Sequence, residues 1–351
     1  MFKSKSISRR SFIEKAALTT GITALGIDNA FGKPGESHES QSQTKSPREV
    51  WIATVAQQGM TADTPEKMVE SILALLDKST VYHPDIICLP EMFMYNYLSP
   101  GMDLPKEAAR SDELLKRLMA FARTNNCYLI CPTLVNENGK IYNAAVVFDR
   151  QGNRMGAYRK MYLPDDEIAL GLTPGPLQQP VFKADFGIFG IQICYDINWN
   201  QGWKSLRQQG AEIVFWTSAF AGGQMINTMA WQNKYVVVSS TREISKICDI
   251  SGETMAQTGA FDKNLIAAPV NLEKTFIHSW PASQRFDEIR AKYGRKVRIT
   301  NYNEEQWSII ESLSPDLRVK DILTEFKLRT FEKQMDDSER ANNNLRNLTL
   351  K

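Results

Sequence analysis

Three short stretches, Leu89-Pro90-Glu91, Tyr158-Arg159-Lys160 and Ile193-Cys194-Tyr195-Asp196, follow one another along the chain and supply a carboxylate, an ammonium and a thiol. Together they are a complete set for covalent hydrolysis. A thiol of ordinary pKa is mostly protonated at pH 7, so a cysteine nucleophile needs a base beside it and a positive group for the charge that develops on attack. Glu91 and Lys160 meet both needs. A Cys-His pair is poorly provided for, because the three histidines lie in a Ser/Gln-rich stretch (His38), just before Pro84 (His83) and late in the chain (His278).

The elements around these residues must bring them to one place. Residues 186–193 form an apolar run ending at Cys194, with a helix-capable segment from about Asn200, so Cys194 stands at a strand-to-helix turn. Backbone N–H groups at such a turn favour the thiolate and make an oxyanion pocket, to which Tyr195 is expected to give its N–H. Glu91 follows the buried strand 85–89 and stands at its carboxyl end, where sites in α/β folds collect. The strand 213–216 leads into Ser218, Ala219 and Phe220 and the glycines beyond, a loop expected to line the substrate pocket. Arg242 is a candidate for binding a substrate carboxylate on position alone.

From Val50 onward, short β-rich runs (51–56, 85–89) alternate with helical patterns (65–76, 114–122). Residues 128–135 and 141–148 flank Asn138-Gly139, a pair that accepts positive φ and signals a hairpin; a second hairpin is expected around Ser251-Gly252. This mixture predicts an α/β protein with mixed sheets covered by helices.

With these motifs in order, the chain resembles the nitrilase superfamily, the carbon-nitrogen hydrolases, whose hallmark is a Glu-Lys-Cys triad. Asn143, Thr173-Pro174-Gly175, the strand from Gly187 to Asp196, Ala230 with Asn233, and Asp249-Ile250-Ser251-Gly252 all fit the same pattern between about Glu49 and Leu272. The resemblance implies an α-β-β-α sandwich of two mixed sheets covered by helices. It implies a catalytic set of Glu91, Lys160 and Cys194, with Glu167 as a second glutamate that orients Lys160 and the substrate nitrogen; Asp165 and Asp166 compete for that place. The implied substrates are small amides, N-carbamoyl amines or nitriles, cleaved through a thioester without metal or organic cofactor, by a homodimer or larger assembly. Acyl transfer from the same thioester, and a silent binding protein on the same fold, are the alternatives. The chain departs from the common pattern after Cys194, reading Ile197-Asn198-Trp199 where many relatives carry Phe-Pro-Glu.

In 351 residues, 42 basic and 40 acidic side chains give a formal charge of +2, which offers no electrostatic case for nucleic acid or an anionic membrane as partner. No run of ~18 apolar residues spans a membrane. Ser8-Arg9-Arg10-Ser11-Phe12 with the mildly apolar residues 16–30 resembles a twin-arginine export signal, so residues 1–32 are expected to be a leader and the periplasm or exterior the destination, with a cytoplasmic protein as the alternative. Residues 33–48 read as a disordered linker, 49–284 as the hydrolase domain and 285–351 as a helical C-terminal extension. The cysteines at 88, 127, 131, 194 and 248 read as buried free thiols apart from Cys194, and Cys127 with Cys131 lacks the further ligands of a metal site.

Overall fold

The computed structural model describes residues 48–349. The leader and nearly all of the linker expected from the sequence lie outside them.

In chain order the strands of the main body begin with β1 (Glu49–Val55), β2 (Ile86–Cys88), β3 (Tyr128–Glu137), β4 (Lys140–Phe148) and β5 (Arg154–Arg159). They continue with β6 (Phe182–Ala184), β7 (Gly187–Ile193), β8 (Ile213–Ser218), β9 (Val236–Thr241), β10 (Lys246–Cys248), β11 (Thr254–Gln257) and β12 (Leu265–Asn271). Two six-stranded sheets result, in the orders β12-β1-β2-β3-β4-β5 and β11-β10-β9-β8-β7-β6. In the first, β1, β2 and β3 are parallel and β3-β4-β5 is an antiparallel meander. In the second, β7, β8 and β9 are parallel. The hairpins at Asn138-Gly139 and Ser251-Gly252 are present, with both glycines and Asn138 at positive φ.

The strands are apolar on both faces because both faces are covered. Ile52, Ile86, Ile130 and Val147 point between the sheets, against Phe189, Ile191, Phe215 and Val238. Their neighbours Ala53, Ile87, Leu129 and Val146 point outward, under helices α1 (Pro65–Asp77) and α2 (Leu104–Thr124). Both helices begin with proline in the first turn and a side-chain cap, Thr64 and Asp103. After the short helix α3 (Asp165–Ala169), helices α4 (Asn200–Gln208) and α5 (Gln224–Asn233) cover the second sheet, packing Trp203, Leu206, Ile226 and Met229 on Val214, Trp216 and Val237. The result is the expected α-β-β-α sandwich.

At one end the sheets are joined by buried hydroxyls. Ser240 Oγ donates to the carbonyls of Val55 (2.8 Å) and Cys88 (2.9 Å), and Thr54 Oγ1 to that of Ser239 (2.7 Å). A parallel bridge between Ala56 and Thr241 lies beside them. This is the end where β2 and β7 deliver Glu91 and Cys194.

The segment from Arg285 is not wholly helical, contrary to expectation. β14 (Val297–Tyr302) and β15 (Trp307–Ser312) form a three-stranded antiparallel sheet with β13 (Lys274–His278), over a separate core that includes Ile277, Phe286, Ile310, Ile322 and Phe326. Charged composition hid a period of two, since Arg298 and Thr300 are exposed while Val297 and Ile299 face helix-side neighbours. The helical part is α7 (Val319–Glu325) and α8 (Phe331–Thr349), preceded by α6 (Phe286–Tyr293). Among the described residues no helix is long and apolar enough to cross a membrane.

Ile310 is fully buried in the small core. Ile310→Ala is expected to lower the unfolding free energy by about 2–5 kcal/mol, as large-to-small core changes do. Urea denaturation checks this, and a loss below about 1 kcal/mol would show that the core is not packed as described.

Candidate active site

Glu91 enters from the end of β2, Lys160 from the end of β5 and Cys194 from the end of β7. α3 carries Glu167, and Asn143 projects from β4. Glu91, Asn143, Lys160 and Glu167 are all buried, and no metal-binding cluster of three or more His, Cys, Asp or Glu is found among the described residues.

These side chains form one closed ring. Lys160 Nζ donates to Glu91 Oε1 and to Glu167 Oε1, each at 2.9 Å. Asn143 Nδ2 donates to the same two oxygens, each at 2.8 Å. The other Glu91 oxygen, Oε2, accepts the Ala219 backbone N–H at 2.9 Å. An ammonium has three N–H donors, so the two ion pairs leave Lys160 one for a reacting group. Glu167 Oε2 is buried and has no hydrogen-bond partner among the described residues.

Lys160 is fixed through its backbone as well. Its N–H donates to the Asn143 carbonyl (2.9 Å) and its carbonyl accepts from Gly175 (2.7 Å). Gly175 packs so tightly there that a Cβ would lie 2.5 Å from the Arg159 carbonyl oxygen. That close approach explains the glycine in the Thr173-Pro174-Gly175 motif.

Charge follows geometry. Burial alone would strip the proton from Lys160, but Glu91, Cys194 and Glu167 hold it, so its pKa lies above the ordinary lysine value. Burial and the Glu91 charge raise Glu167, with Lys160 and Asn143 opposing. The Cys194 thiol is pushed up to about 12 by burial first and by Glu91 second; Lys160 and Ser218 act the other way. Burial and Glu91 thus oppose the thiolate that backbone N–H groups at the turn are expected to favour. Glu91 from the loop after β2 and Ser218 from the end of β8 act on the thiol in opposite directions.

Cys194 has a positive φ of 48°, rare for a residue with a side chain and characteristic of strained functional turns. Its carbonyl accepts from Trp216 Nε1 at 3.1 Å. The structure brings Ser218 and Ala219 to the site, Ser218 beside the thiol and Ala219 on Glu91. Phe220, partly exposed, packs edge-on against Trp216 and caps Ser218 Oγ with its N–H at 3.1 Å. The Tyr195 ring is also partly exposed and lies edge-on to Trp199, which stacks on Tyr162 at 3.9 Å. This aromatic group occupies the stretch where the sequence departs from the common pattern.

Arg242 is engaged by the turn after Glu91, with its Nε buried and unpartnered among the described residues. Its guanidinium donates to the carbonyls of Met92 (3.1 Å), Tyr95 (2.7 Å) and Asn96. It thereby ties down the turn after Glu91, in which Met92 is at positive φ. Asp165 and Asp166 yield the second-carboxylate place to Glu167. His83 precedes β2, at the end opposite Glu91, and His278 ends β13 in the small sheet. Asn143 was visible in the sequence as part of a motif, but not as the bridge between two carboxylates.

Residues 52–276 match the family model described as carbon-nitrogen hydrolase, and the chain belongs to that family. It is 24% identical to β-ureidopropionase of Arabidopsis thaliana over 226 residues, 60% of this chain and 55% of that protein. It is 29% identical to deaminated glutathione amidase of Synechocystis over 135 residues, 36% and 47% of the two chains. The matched stretches thus span about half the length of these curated relatives. The crystal structure of a carbon-nitrogen hydrolase from Helicobacter pylori superposes with a TM-score of 0.59 at 20% identity, covering 74% of this chain and 98% of that one. An amidase from Nesterenkonia sp. gives 0.58 at 18%, covering 66% and 94%. At these identities the superpositions establish the fold.

Lys160→Met would leave Glu91 and Glu167 together without a cation, and breaking a buried pair this way costs about 3–5 kcal/mol. The deficit relative to wild type should shrink on acidification. A carboxyl whose native pKa is raised above its unfolded value stabilises fully below the unfolded pKa and loses that contribution as pH rises through the native one. Urea melts near pH 5 and pH 7.5 check this; an equal deficit at both would contradict the arrangement.

Proposed function

We propose that this chain hydrolyses a non-peptide C–N bond of a small amide or N-carbamoyl amine through a thioester on Cys194. The observation that carries the proposal is the convergence at one end of the sheets of Cys194 and Glu91, one of whose oxygens is held by Lys160 and Asn143 and the other by Ala219.

In this mechanism the Glu91 carboxylate accepts the thiol proton as Cys194 Sγ attacks the carbonyl carbon. The remaining N–H of Lys160 and the Tyr195 backbone N–H hold the oxyanion. Collapse breaks the C–N bond, and the proton on Glu91 passes to the leaving nitrogen as ammonia or amine. Water, deprotonated by Glu91, then attacks the thioester and returns the thiol and a carboxylic acid. A resting thiol suits this sequence, because Glu91 needs its proton for the leaving group.

Glu167 favours an amide or carbamoyl substrate over a nitrile. Its buried, unpartnered Oε2 is an acceptor beside Lys160, and an amide N–H can satisfy it where a nitrile nitrogen cannot. The names of the relatives, an amidase and a ureidopropionase among them, support the same substrate class.

Ammonia release from a panel of small amides, carbamoyl compounds and nitriles tests the reading. Amides or carbamoyl compounds are expected to turn over and matched nitriles to lag by at least about a hundredfold, and Cys194→Ala should lose several orders of magnitude in rate with its fold intact. Retention of more than about a tenth of the wild-type rate by Cys194→Ala would end the covalent mechanism.

A further inference from the structure

Asp196 lies two residues beyond Cys194 and is fully buried. Its carboxylate accepts three hydrogen bonds. Oδ2 takes the Tyr158 hydroxyl at 2.7 Å and the Ile193 backbone N–H at 3.0 Å, and Oδ1 takes the Tyr162 backbone N–H at 2.8 Å. Tyr158 and Tyr162 stand two residues either side of Lys160, and Ile193 immediately precedes Cys194. One carboxylate therefore ties both flanks of the ammonium-bearing strand end to the peptide that enters the strained nucleophile turn.

Packing does not require an acid here. Burial pushes the Asp196 carboxyl up to about 7, and the Tyr158 hydroxyl and the N–H groups of Tyr162 and Ile193 act against that rise, as does the Lys160 charge. Such a group is worth its desolvation where three donors from separate segments must meet at fixed angles. Tyr158 is fully buried as well, and its oxygen accepts from Gln192 Nε2 at 3.1 Å, so the clasp is held from the β7 side too.

We propose that Asp196 is a positioning residue for the reaction inferred above: it fixes the register between the Cys194 turn and the Lys160 strand end, so that sulfur and ammonium face the same substrate carbon. It touches no reacting atom itself. The proposal rests on the hydrolase reading for its turnover consequences, while the placement of the thiol can be measured without any substrate.

The test uses the full chain with Asp196→Asn and Tyr158→Phe. Asparagine keeps the size of aspartate but turns an N–H₂ toward one of the three donors; phenylalanine removes one donor alone. In folded protein, alkylation of Cys194 by iodoacetamide at pH 7, followed by peptide mass, is expected to slow about tenfold or more in Asp196→Asn and about threefold in Tyr158→Phe, since misplacements of an ångström or less carry penalties of this order. kcat should fall by similar factors with KM within about threefold of wild type. A merely structural role would lower the melting temperature and leave the alkylation rate per folded molecule and kcat unchanged, and that result overturns the proposal. If Asp196→Asn does not fold, wild-type alkylation in Tyr158→Phe overturns it equally. Failure of the hydrolase reading would look different: wild-type protein alkylated at Cys194 with no turnover of any amide, and the variants still slow to alkylate.

Discussion

A single ammonium shared by two buried carboxylates is the interaction on which this structure turns. Lys160 lies 2.9 Å from one oxygen each of Glu91 and Glu167. Taking three charges out of water is tolerable only with near-ideal geometry and with the remaining polar atoms supplied with partners. Asn143 provides part of that by bridging the same two oxygens, and the Ala219 N–H provides another part. What is left over in the ring is one ammonium N–H, one Glu167 oxygen and Asn143 Oδ1, and in the proposed reaction a substrate amide meets the first two. The elements converge accordingly: the β4-β5 hairpin brings Asn143 and Lys160, while β2, α3 and the loop after β8 bring Glu91, Glu167 and the Ala219 N–H.

Cys194, the proposed nucleophile, is held by a second set of constraints. A cysteine at positive φ persists only where its surroundings over-determine it. Here Trp216 holds its carbonyl, Asp196 holds the peptide before it, and the buried hydroxyls of Thr54 and Ser240 lock the two sheets at the same end. Arg242 does the corresponding work at Glu91, spanning three carbonyls of the turn that contains the strained Met92. Strain at Cys194, and at Met92 next to Glu91, is thus opposed by polar contacts from outside the reacting set.

Much of this was legible in the sequence. Glu91 and Cys194 each follow an apolar strand, and strand ends are where side chains leave the sheet, so type and position together marked them; Lys160 follows the mixed strand Arg154–Arg159 and was marked only by the family resemblance. The sandwich itself needed the family resemblance, because a strand buried on both faces reads as an unbroken apolar run and does not say that a second sheet covers it. For Arg242 the sequence showed a charge but not the backbone carbonyls of Met92, Tyr95 and Asn96 that engage it. The thiolate expectation weighed a turn's N–H groups without the burial and the Glu91 charge that oppose them, neither of which the sequence shows. In the extension, Arg298 and Thr300 at alternate exposed positions of β14, within a stretch rich in charge, concealed a strand.

The thioester is the claim on which the account depends most, and partitioning tests it most directly. Two amides or carbamoyl compounds with the same acyl group and different leaving amines are turned over in the presence of hydroxylamine, and hydroxamate and acid are both quantified. If both substrates pass through one acyl group on Cys194, water and hydroxylamine compete for the same intermediate, and the product ratio is identical whichever amine has left. A ratio that changes with the leaving group would mean that no common thioester forms, and would contradict the account.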